Sequence, residues 1–535
     1  MQPLAESDAQ LRRAAALIES DPDEAHKILN DLLNKNPDDA KALFVMARLY
    51  VHGGRHAIAL HLMRQCAKLA PQKDAVWNDL GMALSSVQQF RQAREAFLEA
   101  CKRAPREAGH IANVAMTYLE ESNWRKAQQW AQRALDIDPA LTGALQTRGF
   151  ATLALGDWAT GWAGYDRAYG GAYRKIIRVR DEPAWDGKHV ETLFVHGEQG
   201  IGDELMMASC VPDAARDVGQ LVLECDSRLE GLFRRSFPRC AVYGTRRQKH
   251  SAWVDEHTID ASAGIAQLPK FYRPTPAACP GTPYLVADPE RRLQWRALLD
   301  SLGPKPKIGL CWSGGRRVTN SAGRAIGLES LRPLIEAVDA DYVSLQYAKC
   351  AEGEIRATGL PVRHWPHAVA TTDYDDAAAL VAELDAVVGV HTAAMHLAGG
   401  LGVPAIVLVP AKTLWIWATP GAEPGQMPWY RSVRTFHQRP DELWANAVRR
   451  LANDSEHLDR LRRPRGGSVP RLHAEHHRDG ISAGGDTAAD AGVAELVPES
   501  PGRDECVHHD ALPDPVPARL QRLGAVHRLG HPAAA

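Results

Sequence analysis

A period of 34 residues governs the first third of this chain. Pro37, Pro71, Pro105 and Pro139 stand one period apart, as do Ala25, Ala59, Ala93 and Ala127, and again Ala47, Gly81, Ala115 and Gly149. The third copy is the fullest, with Trp77, Leu80, Gly81, Ala93, Phe97, Ala100 and Pro105. Small residues at Gly81 and Ala93 let two antiparallel helices approach. Trp77 and Phe97 fill the space between them, and the proline ends the second helix. A unit of this size cannot bury its apolar face alone, so the copies must stack.

This period and pattern resemble the tetratricopeptide repeat, over residues 6 to about 175. A fifth copy from Thr142 keeps Gly149 and Gly156 but then reads Gly-Trp162-Ala-Gly-Tyr165, a departure that suits the last unit before a junction. Such arrays present a concave face to a peptide or partner protein. An array can also serve only as a spacer or a dimer surface.

Composition sets the wider limits. At 535 residues the chain holds two or three domains, and 45% hydrophobic with 24% charged residues is ordinary globular composition. A net charge of −2 gives no electrostatic case for nucleic acid or an anionic membrane. No apolar stretch approaches the ~18 residues of a spanning helix, so no integral membrane segment is expected. The N-terminus shows no basic region followed by an apolar run, so no signal peptide is expected. Nine scattered cysteines lack zinc spacing and suit unpaired thiols, which points to a cytoplasmic protein.

Residues 176–191 read as a linker around Pro183. Then comes Leu193-Phe-Val-His-Gly-Glu-Gln-Gly-Ile-Gly-Asp203, followed by Glu204-Leu-Met-Met-Ala208. A short apolar run, a glycine-rich turn and a helix begin an open α/β sheet, whose ligands bind at the carboxyl ends of the strands. Asp203 falls in the first turn of that helix. It is either a functional carboxylate facing the crevice or a helix N-cap. Leu221 to Cys225 reads as a strand, Ser227 to Phe237 as a helix, and Cys240 to Tyr243 as a strand. Residues 252–285 read as loop, and Asp288 to Leu302 as a helix.

A second α/β part opens with Lys307-Ile-Gly-Leu-Cys-Trp-Ser313-Gly314-Gly315-Arg316-Arg317, with Arg324 nearby. Backbone amides at a glycine turn beside arginines suit a phosphate, or the turn is simply solvated. Leu328 to Val338 (helix), Tyr342 to Gln346 (strand), residues 376–383 (helix) and Leu384 to Val390 (strand) follow. Next is His391-Thr392-Ala393-Ala394-Met-His396, a helix entered through Thr392, and then a strand, Ala405 to Val409. Strand–helix alternation predicts parallel sheets in two parts. Residues 461–535 contain no Phe, Trp, Tyr or Lys and hold seven of the 22 histidines. That composition predicts a disordered tail. Its abruptness also allows a reading frame that is not the original one.

Residues 190 to 450 resemble glycosyltransferase family 9, the ADP-heptose:lipopolysaccharide heptosyltransferase group, and bacterial members that carry tetratricopeptide repeats in front. The motifs are Gly197 to Asp203, Ile308 to Gly314, Val343-Ser-Leu-Gln346, Val387 to Gly402 with Val403-Pro404, and Pro428-Trp-Tyr-Arg431. The resemblance implies a GT-B fold of two Rossmann-like halves, residues 192–303 for the acceptor and 304–455 for the nucleotide sugar. It implies Asp203 as general base, with Glu198 and Gln199 on the acceptor side. Ser313, Gly314, Gly315, Arg316, Arg324, His391, Thr392, Ala393, Ala394 and His396 would lie on the donor side. A nucleotide diphosphate sugar is the implied donor, with neither a metal nor a further cofactor, and a protein or glycan acceptor would come by way of the array. One departure stands out. The family usually has Asp before the threonine, where this chain has His391, which could meet a diphosphate when protonated.

The sequence thus leaves three readings. One is an inverting glycosyltransferase with a repeat array that recruits its acceptor. Another is a protein-binding scaffold whose transferase part has lost catalysis. The third is a GT-B protein that acts on a nucleotide sugar without transfer, as some epimerases do.

Overall fold

In the computed structural model the described residues are 2–167, 182–246, 248, 253, 256–314, 325–347, 350–369, 373–418 and 425–462. Ten helices, α1 to α10, fill residues 2–167 before the first strand. They pair as α1(Gln2–Leu17)/α2(Pro22–Lys35), α3(Ala40–His52)/α4(His56–Leu69), α5(Asp74–Ser86)/α6(Phe90–Arg103), α7(Ala108–Glu120)/α8(Trp124–Leu135) and α9(Thr142–Ala154)/α10(Trp158–Arg167). Ala25, Ala59, Ala93 and Ala127 are completely buried, as the spacing requires. A Cβ on Gly81 would come within 2.5 Å of the Phe97 ring, so only glycine admits that ring. The residue before each of the first three prolines leaves the helical region: Asn36 has φ −144, Ala70 φ −130 and Ala104 φ −130. That is where the proline ring forbids continuation.

The turn between paired helices repeats too. Gly54, Gln88, Ser122 and Gly156 share one register, and all have positive φ, at 72, 63, 56 and 93°. Gln88 and Ser122 hold this left-handed conformation at a cost of about 1–2 kcal/mol each.

Two parallel sheets follow. The first has the order β3(Cys240–Tyr243)-β2(Gln220–Glu224)-β1(Thr192–His196)-β4(Ala261–Gly264). The second has the order β10(Val433–His437)-β9(Ala405–Val409)-β8(Ala386–Val390)-β5(Lys307–Cys311)-β6(Asp341–Ser344)-β7(Val362–Arg363). All pairings between these strands are parallel. Strands covered on both faces become continuous apolar runs, and β5, β8 and β9 are buried at every residue.

The structure adds elements to the sequence reading. Residues 252–285, read as loop, contain β4, because Ala261-Ser-Ala-Gly264 has none of the branched or aromatic residues that mark a strand. β7, β10 and the helices Ala351–Thr358 and Trp444–Ala452 were also not read. Among the described residues no helix is long and apolar enough to cross a membrane. Gly315, Arg316, Arg317, Arg324, residues 168–181 of the expected junction and linker, and residues 463–535 of the expected tail lie outside the described residues.

The fifth repeat shares a core with both sheets. Phe150 stacks on Trp415 at 6.4 Å, Trp162 meets Trp415 edge-on at 5.4 Å, and Trp158 stacks on Trp429 at 5.4 Å. On the side of the first sheet, the Trp162 indole N–H donates to the Arg273 carbonyl at 2.8 Å, and Lys270 pairs with Asp166 at 2.9 Å. Here lies the reason for the altered fifth copy. A Cβ on Gly149 would meet Tyr165 N at 2.7 Å, so α9 and α10 lie backbone to backbone. Trp162 and Tyr165 are then available to pack on the α/β region.

Candidate functional site

In each sheet, strand order reverses at one place, between β1 and β4 in the first and between β5 and β8 in the second. Ligand crevices form outside the carboxyl ends of the strands at such switch points. The glycine turn Gly197–Gly202 leaves β1 at the first. Ser313 and Gly314 leave β5, and His391 and Thr392 leave β8, at the second.

The two switch points meet. Asp203 lies in α11(Ile201–Met207), which packs on the helix Ala393–Leu401. Gly202 is the contact: a Cβ there would stand 3.2 Å from His396 Cδ2 and 3.4 Å from Ala393 Cα. Hydrogen at Gly202 and a methyl group at Ala393 therefore permit the approach. Gly202 thus meets Ala393 and His396 across nearly 200 residues of sequence, with Asp203 next to Gly202 in α11 and Thr392 and Ala394 flanking Ala393.

Asp203 is not the N-cap. Gly200 holds that position, and Asp203 is the third helical residue, its Oδ2 accepting the Gly200 N–H at 3.2 Å. The loop after β5 is fixed by Gln346, whose Oε1 accepts from the amides of Trp312 (3.2 Å) and Ser313 (3.1 Å). Gly314 sits against the Thr392 methyl, and Thr392 Oγ1 lies 3.4 Å from Cys311 Sγ. Ser313 and Gly314 are thereby joined to the turn at Thr392.

The two histidines are enclosed. His396 Nδ1 pairs with the Tyr430 hydroxyl at 3.1 Å, and its ring lies 4.9 Å from Trp417. Burial drives its pKa down to about 3, so it is neutral at physiological pH. His391 is 4% exposed and lies 6.0 Å from Trp417. Of the two acceptor-side candidates, Glu198 is buried, its Oε1 accepting the Ala266 N–H at 3.3 Å. Gln199 is half-buried, and its side-chain amide donates to the Tyr165 hydroxyl.

Beneath the glycine turn lies a charged cluster that sequence reasoning missed. Arg246, 5% exposed, pairs with Glu204 and, at 3.1 Å, with Asp226. Its Nη1 also donates to the Gln199 carbonyl at 3.3 Å. The Asp226 amide donates to Glu204 Oε2 at 3.0 Å. Burial raises the Asp226 carboxyl, but hydrogen bonds from Arg228 outweigh it and hold the pKa at about 2. Burial pushes Glu204 up from 4.5 to about 7, against the pull of Arg246. No local signal marks Arg246, which stands in a segment with neither a glycine turn motif nor periodicity. Gln346 and Tyr430 did lie within the quoted motifs.

A pH dependence follows. Between about 4.5 and about 7 the folded protein holds the Glu204 proton and the unfolded chain has released it. The folded state binds more protons there, so this contribution falls as pH rises and is lost through about 7. The stability advantage of the wild type over Glu204→Gln should therefore shrink with rising pH. Urea midpoints of both proteins across that interval measure it. A difference that grows with pH would refute the burial argument.

Fold and sequence define a class: tetratricopeptide repeats followed by a region of parallel α/β sheets. A family model of the Psidin N-terminal TPR repeats region matches residues 17–137. The chain is also similar to Protein FlbA of Caulobacter vibrioides, 29% identical over 452 residues, covering 81% of this chain and 75% of FlbA. Solved structures with some likeness include MamA, 19% identical with a TM-score of 0.27, covering 28% of this chain and 88% of MamA. Another is PilW, a widely conserved type IV pilus biogenesis factor, 14% identical with a TM-score of 0.31, covering 39% of this chain and 86% of PilW.

Proposed function

We propose that the α/β region is an inverting, metal-independent glycosyltransferase of the GT-B kind, similar to glycosyltransferase family 9, with a repeat array that recruits a protein or glycan acceptor. In this reading residues 192–303 form the acceptor half and 304–455 the donor half. The observation that carries it is the meeting of the two switch points at Gly202 and Ala393, with Asp203 the next residue after Gly202 in α11. An acceptor hydroxyl must lose its proton as it attacks the anomeric carbon, and the Asp203 carboxylate is the group assigned to take it. The leaving diphosphate needs positive charge or aligned donors. Ser313 to Arg317, Arg324 and the first turn of the helix from Ala393 are the candidates, and neutral His396 can offer only a hydrogen bond.

A panel of nucleotide diphosphate sugars should contain one that raises the melting temperature, because a ligand bound only by the folded state stabilises it. Transfer from that donor should persist in EDTA. Loss of transfer in EDTA, restored by magnesium or manganese, would refute the metal-free mechanism. A panel without any stabilising donor would put the second reading ahead.

That second reading is a repeat scaffold with a catalytically degenerate α/β region. It is favoured by His391, which replaces the family's aspartate before Thr392 and is buried beside Trp417.

A further inference from the structure

We infer that the last helix of the repeat array is a wall of the α/β site, and that Tyr165 is a positioning residue for the turn that carries Asp203. The inference rests on the proposed transferase reading only for what the turn does. The contact itself stands on geometry.

Gln199 is the one non-glycine residue of the Gly197–Gly202 turn with positive φ, at 65°. A side chain in the left-handed region needs something to hold it there. Two groups do so from opposite ends. The Gln199 side-chain amide donates to the Tyr165 hydroxyl, and the Gln199 carbonyl accepts from Arg246 at 3.3 Å. Directly after it, the Gly200 amide is the donor to the Asp203 carboxylate. The chain of contacts from α10 to Asp203 is therefore Tyr165, Gln199, Gly200, Asp203.

Tyr165 is well placed to act as an anchor. It is 2% exposed, and its ring is braced by Phe150 at 5.4 Å and Trp162 at 5.6 Å from the array. On the other side it meets Trp415 at 6.0 Å, beyond β9 of the second sheet. One side chain thus touches the array, the glycine turn of the first sheet and a loop of the second. Its register in the repeat sets it apart. Met63, Phe97 and Ala131 occupy the same place in earlier copies, and none can donate or accept a side-chain hydrogen bond of this kind. The fourth repeat makes a second link, where the Ser122 hydroxyl donates to the Thr413 carbonyl at 3.1 Å and accepts from the Thr413 amide at 2.8 Å. That link holds the loop that leads to Trp415.

The test uses the full-length chain and needs no ligand. Tyr165→Phe keeps the ring and removes only the hydroxyl. Hydrogen exchange followed by mass spectrometry should show amides of the 197–205 peptide exchanging roughly 5-fold faster or more, an opening of about one hydrogen bond's worth. Peptides from β2 and β3 should be unchanged. Gln199→Ala removes the same bond from the other partner and serves if Tyr165→Phe folds poorly. The double variant decides between positioning and packing. If the two side chains act through one bond, the double variant exchanges no faster than the worse single one. Additive effects, or no change at the 197–205 peptide in either single variant, would overturn the inference. Once a donor is known, Tyr165→Phe should lower kcat with little change in KM, because a misplaced base leaves binding intact. A protein that passes the exchange test but transfers no sugar would refute the transferase reading and leave this one standing.

Discussion

On the proposed transferase reading, Asp203→Asn is expected to lower sugar transfer by roughly 10²–10⁴-fold, the usual worth of a positioned general base. Its melting temperature should barely move. The structure explains why the two effects separate. Asp203 is the third residue of its helix, and one oxygen accepts the Gly200 amide. Asparagine keeps an acceptor oxygen for that amide and loses only the capacity to take a proton. Asp203→Ala removes both, and should add a stability loss of about 0.5–1.5 kcal/mol through the unmade turn bond. Turnover and melting measured side by side on both variants distinguish these outcomes. Full turnover in Asp203→Asn would remove the base assignment and leave the scaffold reading ahead.

Arg246→Ala is expected to cost about 3–5 kcal/mol of stability, the size of effect seen when one member of a buried ionic cluster is deleted. The Arg246 side chain is 4% exposed and stands between the side chains of Glu204, fully buried, and Asp226, 2% exposed. Without it, two carboxylates share a dry space. Glu204 can respond by keeping its proton, as its raised pKa already inclines it to do. Asp226 keeps Arg228 as a partner. The loss should therefore be smaller below about pH 7, where Glu204 is protonated in both folded proteins, and grow above it, where only the wild type has an arginine to hold the ionised carboxylate. Denaturant unfolding of wild type and Arg246→Ala on either side of about pH 7 checks this. A loss under about 1 kcal/mol at neutral pH would mean that the cluster is not the buried ionic frame described here.

The repeat array was legible because its signal is local and repeated. Each copy restates the same helix pair, so a proline, a small residue and an aromatic at fixed spacing were enough to expect it. The left-handed turn at Gly54, Gln88, Ser122 and Gly156 was less plain, because two of the four positions are not glycine and their strain is held by the surrounding helices. The glycine turn before Asp203 and the entry at Thr392 were legible as strand–turn–helix units. For Asp203 the sequence left a functional carboxylate or an N-cap; the structure puts it at the third helical position, its carboxylate on the Gly200 amide, because a helix boundary is set by backbone hydrogen bonds that a residue pattern does not display.

By itself, the sequence determined the helix pairs and the strand–turn–helix units at Gly197–Gly202 and Thr392, because these follow from short-range spacings along one chain. Only the tertiary structure decided what meets what. It brought Gly202 against Ala393, put Arg246 under the turn, enclosed His396 until burial neutralised it, and set Tyr165 against Gln199. Those contacts join residues tens to hundreds of positions apart. They are selected by shape and desolvation across packed surfaces, and no short-range pattern carries that information.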